Sequence, residues 1–101
     1  MTSIKVLKEN EKIVNVTING HTNYDDYGKD IVCASVSTIA TTTINAIIRI
    51  NDKAIDYEVK DGFLNIKILL HDEYIDTLLE NMIDLFKTLS KDYPKNVKIN
   101  I

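Results

Sequence analysis

The sequence is short of several things. It has one cysteine, one proline and three glycines in 101 residues. One cysteine excludes an internal disulfide and is the usage expected in a reducing compartment. No apolar run approaches the about 20 residues of a membrane span. The first residues, MTSIKVLKENEKIV, mix Lys and Glu with apolar residues and hold no apolar core of signal-peptide length. Positive charge is also in deficit, with 12 Lys and Arg against 15 Asp and Glu, a formal net charge of -3. That argues against direct nucleic-acid binding, which needs a basic stripe, though not against a basic protein partner. These absences predict a cytoplasmic protein that neither enters a membrane nor grips nucleic acid.

What is present has globular proportions, 45% hydrophobic and 27% charged residues. Disorder is excluded on that balance, and the length fits one domain spanning residues 1–101. In IKVLK, Ile4 and Val6 share one side; in IVNVTIN, Val14, Val16 and Ile18 do, against Asn15 and Thr17. Both segments show the two-residue period of half-buried strands, with KENEK as the hairpin loop between them. From Asp30 the period changes to that of a helix. Val32, Val36, Ile39, Ala40, Thr43, Ile44 and Ile47 recur at helical spacing over about twenty residues without Gly or Pro, too long for a strand. This helix is expected to be buried on much of its surface.

AIDYEV and FLNIKIL read as two further strands around KDG, whose glycine supplies a positive φ. DEYIDTLLENMIDLFKTLSKDY is an amphipathic helix with Ile75, Leu78, Leu79, Met82, Phe86 and Leu89 as its stripe, Asp72 as N-cap and Glu73 near the positive end of the dipole. NVKINI closes the chain as a strand. The fold expected is α+β: two helices packed on a mixed, mostly antiparallel five-stranded sheet, in the order ββαββαβ. Strand order is not readable. With both helices on one sheet face, the apolar residues of FLNIKILL and NVKINI suggest a second exposed face and hence a homodimer.

One stretch is unlike the rest. GHTNYDDYGKDIVC, residues 20–33, gathers the only cysteine, one of two histidines and two of three glycines. The ten residues from Gly20 to Lys29 make a long strand-to-helix connection, the kind of loop that carries function. Gly20 and Gly28 bracket it, as hinges or simply as turn residues. With Asp30 as N-cap, Cys33 is the third helical residue, where a backbone N–H lacks an intrahelical partner. The helix dipole favours a thiolate there by about 0.3–1 kcal/mol, too little to ionise a thiol in neutral water unaided. His21 is the cation that would supply the rest, and a Cys–His pair is a nucleophile with its base. The competing reading is a packed structural cysteine beside a solvated histidine.

Asp30 pulls two ways, stabilising the helix as a cap yet repelling a nearby thiolate, so its useful roles are capping or orienting His21. Ser37 lies one turn from Cys33, either near the site or back-bonded to the Cys33 carbonyl. Tyr24, Asp25, Asp26 and Tyr27 read as a loop tip that is solvated or meets substrate. His71, just before the second helix, reads as a surface or cap-related residue. A metal held by His21, Asp25, Cys33 and His71 has no recognised ligand spacing, and no metal or other cofactor is expected.

These residues resemble the signature of the ribosomal-processing cysteine protease family, Prp. The family pattern is roughly G-H-A, a short variable loop, then G-x-D-x-V-C-A-A-x-S. Gly20, His21, Gly28, Asp30, Val32, Cys33, Ala34 and Ser37 match it, while Thr22 and Ser35 stand where alanines are usual. The resemblance covers the whole chain. It implies a bacterial cysteine endopeptidase that removes the N-terminal extension of a large-subunit ribosomal protein (L twenty-seven), cleaving after an aromatic residue in a largely hydrophobic motif. It implies Cys33 as nucleophile and His21 as general base, with Gly20, Gly28, Asp30 and Ser37 supporting the site, in a homodimer. The alternatives are a non-catalytic ribosome-associated binding module with a structural cysteine, and a thiol activity on a non-protein acceptor.

Overall fold

A computed structural model describes residues 1–20 and 30–101. Along the chain run β1 (Thr2–Glu9), β2 (Lys12–Asn19), α1 (Ile31–Ile50), β3 (Ile55–Lys60), β4 (Phe63–Ile68), α2 (Glu73–Asp92) and β5 (Val97–Asn100). This is the ββαββαβ order that the periodicities predict. The strands form one sheet in the order β3-β4-β2-β1-β5. The β1–β5 pair is parallel and the other neighbours are antiparallel.

Register explains how the sheet buries one face. Ile4 lies opposite Ile18 and Val6 opposite Val16; Val16 and Ile18 in turn face Ile66 and Leu64 on β4. These residues, with Ile68, Ile55 and Val97, join the inward stripes of both helices in a single hydrophobic cluster. The other face alternates to Ser3, Lys5, Asn15, Thr17, Asn65 and Lys67. Asn15, Thr17 and Asn65 tie β2 to β4 there, with Asn65 Oδ1 accepting from Asn15 at 3.0 Å and from Thr17 at 2.8 Å. Of the apolar residues of FLNIKILL and NVKINI, Leu64, Ile66, Ile68, Val97 and Ile99 lie in or against the core and so form no second apolar face, whereas Leu69, Leu70 and Ile101, past the strand ends, are exposed.

Three local features depart from the sequence reading. The hairpin loop is not KENEK but two residues, Asn10 and Glu11, both at positive φ (52° and 67°). That is the type I′ geometry whose twist matches a two-residue hairpin. The β1–β2 register then skips Val14: Leu7 faces Asn15 and Lys8 faces Ile13. This bulge turns Ile13 inward, 2% exposed, where simple alternation placed Val14.

Helix α1 is not buried on much of its surface. Val32, Val36, Ala40, Thr43, Ile44 and Ile47 form one buried stripe, and Ala34, Ser37, Thr38, Thr41, Thr42 and Asn45 face outward. By length and composition α1 is apolar enough to cross a bilayer, which the sequence reading had excluded. Its buried stripe instead packs into the shared core. In α2, Ile75, Leu79, Met82, Ile83 and Phe86 are buried, and Leu78 and Leu89 flank them. Asp72 caps α2 as expected, accepting from the Ile75 N–H at 2.8 Å.

Candidate active site

The site begins where β2 ends. Gly20 adopts φ +92°, and a Cβ built on it would lie 2.5 Å from the Met1 carbonyl oxygen. Both facts demand glycine. Its N–H donates to the Gly62 carbonyl at 2.8 Å, and its own carbonyl accepts from Thr2 Oγ1 at 3.4 Å. The residue before His21 is thus held between the first strand and the tip of the β3–β4 hairpin. Gly62 at that tip has φ +68°, the positive value expected of it.

Asp30 is the N-cap of α1. Its Oδ1 accepts from the Val32 N–H at 3.0 Å and the Cys33 N–H at 2.9 Å, while its carbonyl takes the Ala34 N–H. The cap was expected, but not that it would take the Cys33 N–H. The Cys33 N–H is not an open donor, and a carboxylate stands where the dipole is positive. Stabilisation of an oxyanion by these helix-start N–H groups is unavailable while the cap is closed.

Cys33 is a free thiol, half-buried on the wall of a groove of about 460 Å³. One wall is α1, where Cys33, Ser37, Thr41 and Asn45 succeed each other one turn apart. The opposite wall is the hairpin, including Tyr57, Val59 and Leu64. Ser37 is exposed and its hydroxyl forms no hydrogen bond to another described residue, so the side-chain back-bond to the Cys33 carbonyl is not made. Ser35 does make such a bond, to the Ile31 carbonyl at 2.7 Å. At the hairpin end, Glu58 accepts from Lys60 at 2.9 Å, and this bond raises the Lys60 amine above its ordinary range.

His21 and Gly28 lie outside the described residues, as do Tyr24, Asp25, Asp26 and Tyr27. His71 precedes α2, with Nδ1 2.7 Å from Asp76 Oδ1; Lys12 Nζ stands 3.6 Å from the other oxygen of Asp76. It is the cap-proximal residue expected. The groove residues beyond Ser37 went unnoticed in the sequence. Thr41 and Asn45 continue the spacing of Cys33 and Ser37, a signal that was available. The exposure of Tyr57 and Val59 was not readable, because it depends on β3 being an edge strand.

The family model described as cysteine protease Prp matches residues 1–98. The ribosomal processing cysteine protease Prp of Staphylococcus aureus is 28% identical over 92 residues, covering 88% of this chain and 87% of that protein. The protein of the same name from Bacillus subtilis is 26% identical over 97 residues, covering 86% and 84%. A crystal structure of the Staphylococcus aureus protease in complex with a covalently linked product peptide matches with a TM-score of 0.93 at 26% identity, over 99% of this chain and 98% of that one.

Proposed function

This chain belongs to the cysteine protease Prp family, and from that membership we propose that Cys33 and His21 form its catalytic dyad, acting on the N-terminal extension of a large-subunit ribosomal protein (L twenty-seven). The protein is a cysteine protease of the ribosomal-processing family. Residues 1–101 act as one catalytic domain, without a cofactor. The observation that carries the dyad is the position of Cys33. Its thiol is half-buried on a groove wall at the first turn of α1, not sealed in the core cluster, and it follows closely on the loop that bears His21.

The Cys33 thiolate attacks the scissile carbonyl. His21 protonates the leaving amine, and the acyl group stays on sulfur. His21 then takes a proton from water, whose oxygen attacks the thioester and releases the acid product and the thiolate. Because Asp30 occupies the N–H groups of Val32 and Cys33, the oxyanion draws its hydrogen bonds from other donors, or the cap opens when substrate binds. Gly20 and Gly28 bracket the loop, and Ser37 borders the path of the substrate. The product peptide linked covalently to the Staphylococcus aureus relative supports a covalent intermediate here.

Incubation with a peptide of the ribosomal extension, read by mass spectrometry, tests the assignment. Cys33→Ala and Cys33→Ser should abolish cleavage, and His21→Ala should lower kcat by about 10²–10⁴. Wild-type rates in any of them would remove that residue from the dyad. The rival reading is an inert, packed cysteine in a binding module. Rapid alkylation of Cys33 by iodoacetamide at neutral pH, slowed in His21→Ala, separates the two. The reading includes a cytoplasmic homodimer, as family resemblance implies; light scattering that gives the mass of one chain at working concentration would exclude the dimer.

A further inference from the structure

Exposed apolar side chains collect at the end of the molecule where α1 stops and α2 starts. Ile50, the last residue of α1, is 47% exposed, and Leu69 and Leu70, just past β4, are 50% and 46% exposed. The Leu69 and Leu70 N–H groups both donate to the carbonyl of Ala54, a short way along the chain from Ile50. Tyr74, in the first turn of α2, is 64% exposed. Beside it, Ile50, Glu73, Tyr74, Thr77 and Leu78 line an open hollow of about 320 Å³. Ile50, Leu69, Leu70 and Tyr74 stand outside the core cluster, so core packing does not account for them.

Apolar surface gathered in this way is unfavourable in water and marks a place where something binds. The charges at its rim indicate what. Arg49 precedes Ile50 and Glu73 precedes Tyr74, so each borders a residue of the patch. Both are exposed, and neither forms an ion pair with another described residue. A surface with one unpaired charge of each sign is complementary to itself when turned about a two-fold axis. A protruding aromatic ring beside a hollow is complementary to itself in the same way. A basic or an acidic partner would match only one of the two charges. The area also suits a dimer. Four large residues about half exposed offer on the order of 400 Å² of apolar surface, about half of the about 800 Å² that each partner buries in a standard interface, where apolar atoms supply a little over half.

We propose that a second copy of this chain covers the patch, about a two-fold axis that seats Tyr74 of each protomer in the hollow of the other and sets Arg49 against the partner's Glu73. The proposal rests on the homodimer reading above and names its interface. Cys33 lies in the first turn of α1 and Ile50 ends that helix, about 26 Å away at about 1.5 Å per residue. The interface therefore lies at the far end of α1 from the thiol, and both grooves stay open on the outer ends of the dimer.

Sedimentation velocity over a concentration series tests the interface. Wild type should be a dimer that dissociates on dilution. Ile50→Glu and Leu70→Asp should each raise the dissociation constant about a hundredfold or more, since every substitution enters a two-fold interface twice. Arg49→Glu and Glu73→Arg should each raise it about tenfold by setting like charges together. The double variant Arg49→Glu with Glu73→Arg should return it to within about threefold of wild type. All four positions are exposed, so circular dichroism and urea unfolding should confirm intact folds. Dimers unchanged in both Ile50→Glu and Leu70→Asp, or a double variant no tighter than the single ones, overturn this interface and leave the homodimer standing. A wild type with the mass of one chain throughout overturns the homodimer and the interface together. A wild type that fails to cleave the extension peptide overturns the protease assignment alone.

Discussion

Asp30 holds two backbone N–H groups of α1, one of them belonging to the cysteine itself. Stability and reactivity therefore compete at a single carboxylate. Asparagine caps a helix about as well as aspartate but carries no charge. Asp30→Asn should leave stability within about 0.5 kcal/mol and speed alkylation of Cys33 at neutral pH, whereas Asp30→Ala should cost about 1 kcal/mol. Equal alkylation rates in wild type and Asp30→Asn would show that the carboxylate does not act on the sulfur. Gly20 is under a different constraint. Alanine there must accept φ +92° and a Cβ 2.5 Å from the Met1 carbonyl, so Gly20→Ala should cost at least about 2 kcal/mol by urea unfolding and depress cleavage. A stable, active Gly20→Ala would mean that the Met1 end yields freely. Both caps, Asp30 and Asp72, were legible in the sequence because capping is local, a side chain reaching N–H groups two or three residues on. That Asp30 would take the Cys33 N–H required the geometry.

The elements were legible wherever one physical period runs unbroken. Alternation found the strands, and α2 showed its stripe because its polar residues separate cleanly from its apolar ones. Helix α1 was found by the same means, but its burial was overestimated. Threonine and alanine on its outer side look apolar in sequence, yet they are small enough to face solvent or a groove. The β1–β2 hairpin misled differently. Its two-residue turn closes the strands too early for Val14 to stay in step, and a bulge restores the inward position to Ile13. Alternation cannot show a residue that the partner strand skips. The turn also carries a cost, since Glu11 has φ 67° with a full side chain. Glycine at the second turn position relieves that strain, so Glu11→Gly should stabilise the protein by about 1 kcal/mol, measured as a raised urea midpoint. A lowered midpoint would place Glu11 in an interaction beyond the turn.

At the scale of the whole molecule, a single core lies between two helices and one face of the sheet. Strand order and edge exposure are properties of this assembly and are carried by no local pattern. That is why Tyr57 and Val59 looked like ordinary strand residues and why β4 seemed to offer a second apolar face. The adjacent residues Asn65 and Ile66 on β4 test this architecture directly, since they point to opposite sides of the sheet. Ile66 is fully buried, and Ile66→Ala should cost about 2–5 kcal/mol, a large share of the about 5–15 kcal/mol that holds a domain together. Asn65 accepts from Asn15 and Thr17 on the polar face, where all three are partly exposed. Its loss leaves donors that can turn to water, so Asn65→Ala should cost about 1 kcal/mol or less. Urea unfolding with matched slopes reads both differences. If two copies instead joined through the polar face, Asn65→Ala would cost several times more, and the cost would grow with protein concentration as association became the state being measured.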